Sequence, residues 1–339
     1  MSATLELIAS LLVILVAAEV FTNALEHLGH RLGISEGVTG SVFAAVATAL
    51  PETTVPLLAI FAGTADARVN HEIGVGAILG APLMLSTLSL SLLALVSLRA
   101  RGARGAFRPE ASGLARDLDF FLLAFLLAGA ALFVPPEMAA MRTAIAVTLV
   151  GTYFVYVLLT VRASAALVQN GHGTVAHEPM WLARLGLPEN AAVILIQLFA
   201  GLALLIAGAK GFIHGIEALA GRLGVSALLL SLIIVPIATE LPEKVNSILW
   251  IRRGKDTLAF GNLTGAMVFQ GSLLTALGIL VTPWVPQREV LAAMLTALIA
   301  ALWLRRRLHR GGIRIWHLLV NGALYAAYLA AALRLQGGG

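Results

Sequence analysis

Residues 47–52 read Ala47-Thr48-Ala49-Leu50-Pro51-Glu52, and residues 238–243 read Ala238-Thr239-Glu240-Leu241-Pro242-Glu243. Each phrase is a Pro-Glu pair inside an apolar stretch long enough to cross a bilayer. A carboxylate at that depth is costly, and a proline breaks the helical hydrogen-bond ladder. Two such breaches at matched positions point to a functional site rather than to packing.

The surroundings of the phrases set the class of protein. Of the 339 residues, 59% are hydrophobic and only 12% are charged, and the mean hydropathy is +0.91. A soluble domain carries about 25% charged residues, so this chain cannot cover itself with polar surface. It reads as an integral membrane protein. The absence of cysteine excludes disulfides and thiolate metal sites. The net charge of +5 comes from arginines lying between apolar runs. Membrane topology accounts for them better than nucleic-acid binding does. The N-terminus holds Glu6 and Glu19 and lacks a basic leader region, so it reads as a retained first span.

Apolar runs fall at roughly 4–26, 37–62, 72–98, 117–134 and 140–161, and again at roughly 190–213, 225–251, 257–284, 288–304 and 315–333. A polar stretch between the two sets, 162–189, holds His172, His177, Glu178 and Pro188. The expected architecture is therefore an all-α membrane protein of ten transmembrane helices. Its parts are a first repeat, 1–161, a linker, 162–189, and a second repeat, 190–339. Loops after odd-numbered spans hold sixteen Lys and Arg residues against six on the other side. The positive-inside bias then predicts both termini outside and the linker in the cytoplasm of a prokaryotic plasma membrane.

Sliding residues 10–57 onto 201–248 without gaps makes fourteen of 48 positions identical. Among them are Arg31-Leu32-Gly33 with Arg222-Leu223-Gly224, Glu26 with Glu217, and Thr, Leu, Pro and Glu of the opening phrase. A unit of five spans is odd, so the second must enter the membrane from the opposite face. This is an inverted-topology repeat, an architecture of secondary transporters.

Several residues could carry the chemistry. Glu240 and Glu243 share a helix face by their spacing. Pro242 should free the carbonyls near Ala238 and Thr239. Carboxylates and freed carbonyls form a hard-oxygen cage for Na⁺, Ca²⁺ or H⁺. The alternative is a kinked helix whose acids are merely paired, for example with Lys244. Inverted symmetry would bring Glu52, which follows Thr48, to face Glu243. Two facing carboxylates repel unless a cation lies between them. The next span in each half is rich in small residues, Gly74, Gly76 and Gly80 in the first and Gly261 and Gly265 in the second, which suit close helix packing. Asn262 and Gln270 are candidates for lining an ion path. Glu19 and Lys210 hold equivalent repeat positions and suit a water-facing end or a paired charge. His27, His30, His172 and His177 read as loop residues. No Ser/His or His-Glu-x-x-His arrangement lies within a span, so the chain does not read as an enzyme.

These motifs resemble those of the cation/Ca²⁺ exchanger superfamily, sodium/calcium exchanger-like membrane proteins of ten spans in two inverted halves. Each half of that family carries Gly-Thr-Ser-Leu-Pro-Glu and then Gly-Asn-x-x-Gly-Ser-x-x-x-Asn/Asp. Here the second motif begins Gly261-Asn262-Leu263-Thr264-Gly265-Ala266, 19 residues beyond Pro242. In the first half Gly76 lies six residues further from Pro51 than this spacing. The resemblance implies that Glu52 and Glu243 bind the cation and that Thr48 and Thr239 stand at the helix breaks. The family's serines are replaced by Ala49, Glu240, Ala81 and Ala266, and its last Asn/Asp positions by Leu85 and Gln270. The expected ligand set is thus Glu52, Glu243, Glu240, Thr48, Thr239, Gln270 and Asn262. The expected function is a secondary active antiporter exchanging Ca²⁺ for Na⁺ by alternating access, with no cofactor beyond the transported cations and the lipid bilayer as its surroundings. The spans holding Glu19 and Lys210 would slide past the rest. Exchange against protons is the alternative, since the neutral ligands have thinned, and an uncoupled channel is a further one.

Overall fold

The computed structural model describes residues 3–31, 44–168 and 179–337. The helices are α1 (Ala3–Arg31), α2 (Ala44–Ala62), α3 (Ala67–Arg101), α4 (Ala111–Ala131), α5 (Ala139–Val168), α6 (Trp181–Arg184) and α7 (Ala191–Leu223). They continue with α8 (Ala227–Thr239), α9 (Leu241–Arg252), α10 (Asp256–Val281), α11 (Arg288–His309) and α12 (Ile315–Gly337). Two strands, β1 (Ala106–Phe107) and β2 (Ile313–Arg314), pair antiparallel.

Helix starts follow side-chain capping, which supplies acceptors for orphan backbone N–H groups. Asp66 caps α3 through Arg68 N at 2.8 Å, Asn190 caps α7 through Val193 N at 3.0 Å, and Ser226 caps α8 through Leu229 N at 3.1 Å. Gly224 ends α7 at φ +66°, a left-handed conformation that costs glycine little.

Among the described residues, six helices contain a stretch long and apolar enough to cross a membrane: α1, α3, α5, α7, α10 and α12. α8 and the segment Glu52–Ala62 of α2 are shorter apolar helices. α4 and α11 have spanning length, 21 and 22 residues, but carry charges such as Arg116, Asp117 and Asp119, or Arg288, Glu289 and Arg305. The expected single run over 225–251 is two helices meeting at Glu240. In the linker, α5 continues to Val168 and α6 follows, while His172, His177 and Glu178 lie outside the described residues.

α1 and α7 pack antiparallel. Gly201 lies against Phe21, Gly208 against Ile14, Gly211 against Ser10 and Gly215 against Leu7. Gly201, Gly208 and Gly215 are seven apart, so they form one bare stripe that lets α1 approach the α7 backbone. At one end Gln197 donates to Asn23 Oδ1 at 2.9 Å, and Asn23 also accepts from Trp181 N at 3.0 Å, which seats α6 on the pair. α3 runs alongside α8, where Gly76 meets Ser231 and Gly80 meets the Leu232 carbonyl with no room for a Cβ. That carbonyl lacks its usual helical donor because residue 236 is proline.

Two apolar cores share α3 and α8. The larger gathers α3, α4, α10, α11 and α12 around stacked Phe121 and Phe125 and the buried Trp284, whose Nε1 donates to Ala128 O at 3.1 Å. Within it Asp117 accepts from Thr264 at 2.7 Å and Tyr156 at 3.1 Å, so its buried oxygens are satisfied. The smaller joins α1, α2, α3, α7 and α8 through Ile14, Val55, Ile73 and Phe212.

One end of the molecule is tied by polar links. Arg101 forks onto both oxygens of Asp256 at 2.7 and 2.8 Å, and Arg108 N donates to the same carboxylate at 2.8 Å. Beside them β1 pairs with β2, placing Ala106 opposite Arg314. The loops that carry most of the arginine excess thus meet at one end. At the other end Arg142 donates to Ile279 O at 2.8 Å and Thr282 O at 2.9 Å.

Candidate ion-binding site

The site forms where α8 and α9 part. Thr239 is the last residue of α8, and Glu240 follows at φ −93°, ψ 10°, its N–H donating to Pro236 O at 3.2 Å. Pro242 stands in the first turn of α9, where its missing donor is tolerated. The chain is therefore broken here rather than kinked, the alternative reading of the phrase, and Pro242 starts a new helix rather than bending an old one.

Three carboxylates are brought to this break. Glu52 from α2, Glu240 from the break and Glu243 from α9 are all 5% exposed or less. Glu243 lies within electrostatic reach of both Glu52 and Glu240. Glu52 faces Gln270, which is fully buried. Oε1 of Glu52, Oε1 of Glu240, Oε2 of Glu243 and both amide atoms of Gln270 are buried without a hydrogen-bond partner. Unsatisfied polar atoms buried together are expensive, and their convergence is the mark of a site built for a ligand. No three Asp, Glu or His side chains among the described residues converge tightly enough to hold a metal ion unaided. Amide, hydroxyl and carbonyl oxygens would have to complete a shell.

Lys244 stands beside the break, buried like the acids. Its Nζ lies 3.3 Å from Glu240 Oε2, donates to Pro236 O at 2.9 Å and reaches Met84 Sδ at 3.1 Å. The sequence offered this lysine only as a pairing partner. Its visible signal was the four-residue spacing from Glu240, which puts both on one face across the break.

Gln270 opens a π-helical turn, Gln270–Leu274, in the middle of α10. α3 carries the matching turn, Leu85–Ser89, so Leu85 and Gln270 hold the same place in their helices. Such turns leave carbonyls without their usual donors. Thr275 Oγ1 serves Gln270 O at 2.9 Å, and Asn321 Nδ2 from α12 serves Ser86 O at 2.7 Å. Tyr325, also on α12, carries a buried hydroxyl without a partner and lies within electrostatic reach of Glu240. Neither Asn321 nor Tyr325 was singled out from the sequence, because nothing in an apolar run marks which helix will face a break.

The other expected residues divide. Thr239 is buried, with its hydroxyl donating to Val235 O at 3.1 Å and its lone pairs left to accept. Asn262 is half-buried, and its amide nitrogen donates to Glu243 O at 3.1 Å and Ser247 Oγ at 3.0 Å. It braces α9 rather than facing the acids with that nitrogen. The side chain of Thr48 lies outside the described residues, as do those of Ala49 and His30. Gly74, Gly76 and Gly80 pack as expected, whereas Gly261 meets no neighbour. Glu19 and Lys210 are exposed on α1 and α7, and His27 is half-buried.

Buried acids at a helix break, inside a helical bundle with apolar spans, define an ion-transporting membrane protein. The chain belongs to the sodium/calcium exchanger protein family, which it matches over residues 2–162 and 193–334. It is 26% identical to the inner membrane protein YrbG of Escherichia coli over 94% of both chains. It is also 26% identical to CaxA of Alkalimonas amylolytica, whose name marks it as a proposed antiporter, over 84% of this chain and 82% of that one. Among solved structures, the H⁺/Ca²⁺ exchanger CAX superposes with a TM-score of 0.70 at 18% identity, covering 98% of this chain and 82% of that one. The sodium-calcium exchanger NCX_Mj superposes with a TM-score of 0.57 at 21% identity, covering 97% of each. At these identities the two structures speak for the fold alone.

Proposed function

We propose that this protein is a secondary active antiporter that exchanges Ca²⁺ for Na⁺ across the membrane, with Glu52, Glu243 and Glu240 as its carboxylate ligands. The observation that carries the reading is the cluster of buried, unpartnered acid and amide oxygens at the α8–α9 break. Ca²⁺ takes six to eight oxygens, and carboxylates mixed with neutral oxygens suit it. Gln270 and Thr239 supply neutral oxygens, and Thr48 would supply another from α2.

The antiparallel packing of α1 on α7 supports an inverted relation between the halves 1–161 and 190–339, and so a ten-span topology. With the arginine-rich loops inside, both termini lie outside and the segment 162–189 lies in the cytoplasm. α1 and α7, seated mainly on the smaller core, would slide past the larger one to alternate access.

A second reading exchanges Ca²⁺ for protons. Ala49, Ala81 and Ala266 stand where the resembling family has hydroxyls, and Leu85 where it has a polar ligand. A proton needs only a carboxylate, whereas Na⁺ needs a shell.

Proteoliposomes holding the full chain would separate the readings. Radiolabelled Ca²⁺ uptake driven by an outward Na⁺ gradient at equal pH supports sodium coupling. Uptake driven by a pH gradient without Na⁺ supports proton coupling. Uptake that needs neither gradient means a channel, and Glu243→Gln transporting as well as wild type would sink the site assignment.

A further inference from the structure

We infer that Lys244 is a tethered counter-ion, occupying one cation position of the site permanently and setting the charge that each transport cycle moves. The inference rests on the antiport reading above and adds the charge stoichiometry to it.

The geometry of the ammonium carries the argument. It has three donors and three partners: Glu240 Oε2, Pro236 O and Met84 Sδ. A carboxylate oxygen and a backbone carbonyl are the groups that hold a monovalent cation at a broken helix. An ammonium is a compact point charge that can substitute for such an ion. The position belongs to one half alone, since the matching residue of the first half is Thr53. A buried ion pair adds little stability in place of apolar packing, so stability does not explain a lysine here.

The charge count follows. Glu52, Glu240 and Glu243 bring three negative charges, and Lys244 returns one. The net demand is two positive charges, met by one divalent or two monovalent ions. Glu240 keeps Oε1 free of hydrogen bonds while Oε2 faces Lys244, so it can serve both the lysine and a cation. One Ca²⁺ then exchanges for two monovalent ions, and the cycle moves no net charge. Without the lysine the site demands three positive charges. Three monovalent ions meet that demand and one Ca²⁺ falls one charge short, so exchange of one Ca²⁺ for three monovalent ions moves one net charge and the cycle becomes electrogenic.

The test reads an equilibrium, not a rate. Wild type, Lys244→Met and Lys244→Arg are reconstituted with a fixed monovalent-ion gradient. The membrane potential is clamped with K⁺ and valinomycin, and the final Ca²⁺ ratio is measured with an internal dye. For wild type and Lys244→Arg the ratio should not move with potential. For Lys244→Met it should shift about 50-fold per 100 mV, the effect of one uncompensated charge. A variant that is slow or partly misfolded still reaches the same equilibrium, so a merely structural lysine would leave the ratio where wild type has it. That result, or a wild-type ratio that follows the potential, overturns the inference. The wild-type arm decides even if Lys244→Met is inactive. Wild type that neither binds nor carries Ca²⁺ fails differently, by overturning the antiport reading itself.

Discussion

Gln270, from the middle of α10, faces Glu52 of α2, and neither the Gln270 amide nor Glu52 Oε1 completes a hydrogen bond. Gln270→Leu would reproduce the residue that α3 carries at the matching place, Leu85. Losing one neutral ligand beside a carboxylate should weaken Ca²⁺ binding about tenfold, the scale of one hydrogen bond to a charged group. A Ca²⁺ titration of the purified protein checks this, and unchanged affinity removes Gln270 from the ligand set.

Gly76 and Gly261 hold matching places in α3 and α10 but should respond oppositely to alanine. A Cβ at Gly76 runs into Ser231 and the Leu228 carbonyl, while one at Gly261 meets nothing. Gly76→Ala should destabilise by about 1–3 kcal/mol, the cost of overpacking. Gly261→Ala should be neutral or slightly stabilising, since alanine suits a helix better. Melting temperatures in detergent would show the difference, and equal shifts would refute the close α3–α8 contact.

Asp256→Asn should cost about 3 kcal/mol, because it strands the Arg101 guanidinium after half of a largely buried pair is lost. The carboxylate also takes the Arg108 N–H, so the loop after α3 should loosen with it. Faster hydrogen exchange confined to residues 102–110 is the expected signature, and exchange identical to wild type would count against the clamp.

Ser10 and Gly211 face each other across α1 and α7, and a Cβ on Gly211 would lie 3.5 Å from that of Ser10. This is within disulfide reach. The chain has no native cysteine, so the double variant Ser10→Cys with Gly211→Cys gives a clean cross-link. If α1 and α7 slide as one body, the oxidised protein should retain exchange within about a factor of two of the reduced protein. Loss of transport on oxidation, restored by reductant, would show that the two helices move against each other instead.

Much of this fold is visible in the sequence because bilayer physics demands it. Runs of apolar residues had to become helices, and arginines had to gather at one end, as Arg101, Arg108 and Arg314 do. Buried acids in those runs had to lie inside, as Glu52, Glu240 and Glu243 do. The break at Glu240 was harder to place. Pro242 signals a disrupted ladder, but a proline in a kink and one in the first turn of a new helix read alike. The sequence offered Lys244 as a partner for the acids but not as a buried charge, because a lysine near an apolar run can equally extend its amine to the interface. The π-helical turns have no sequence signature, so the register that aims Gln270 at Glu52 appears only in three dimensions.

The two-residue ladder of β1 and β2 has a consequence for biosynthesis. Residues 106–107 leave the ribosome about 200 residues before residues 313–314, their only β partners among the described residues. Gly105 O likewise awaits Ile315 N, and Ser86 O awaits Asn321. Asp256, the counter-charge of Arg101, also arrives only with the second half. A nascent chain that stops after five helices therefore carries an open strand edge, a lone guanidinium and an uncapped turn. The first five helices cannot finish alone: their contacts are completed only when α12 is in place.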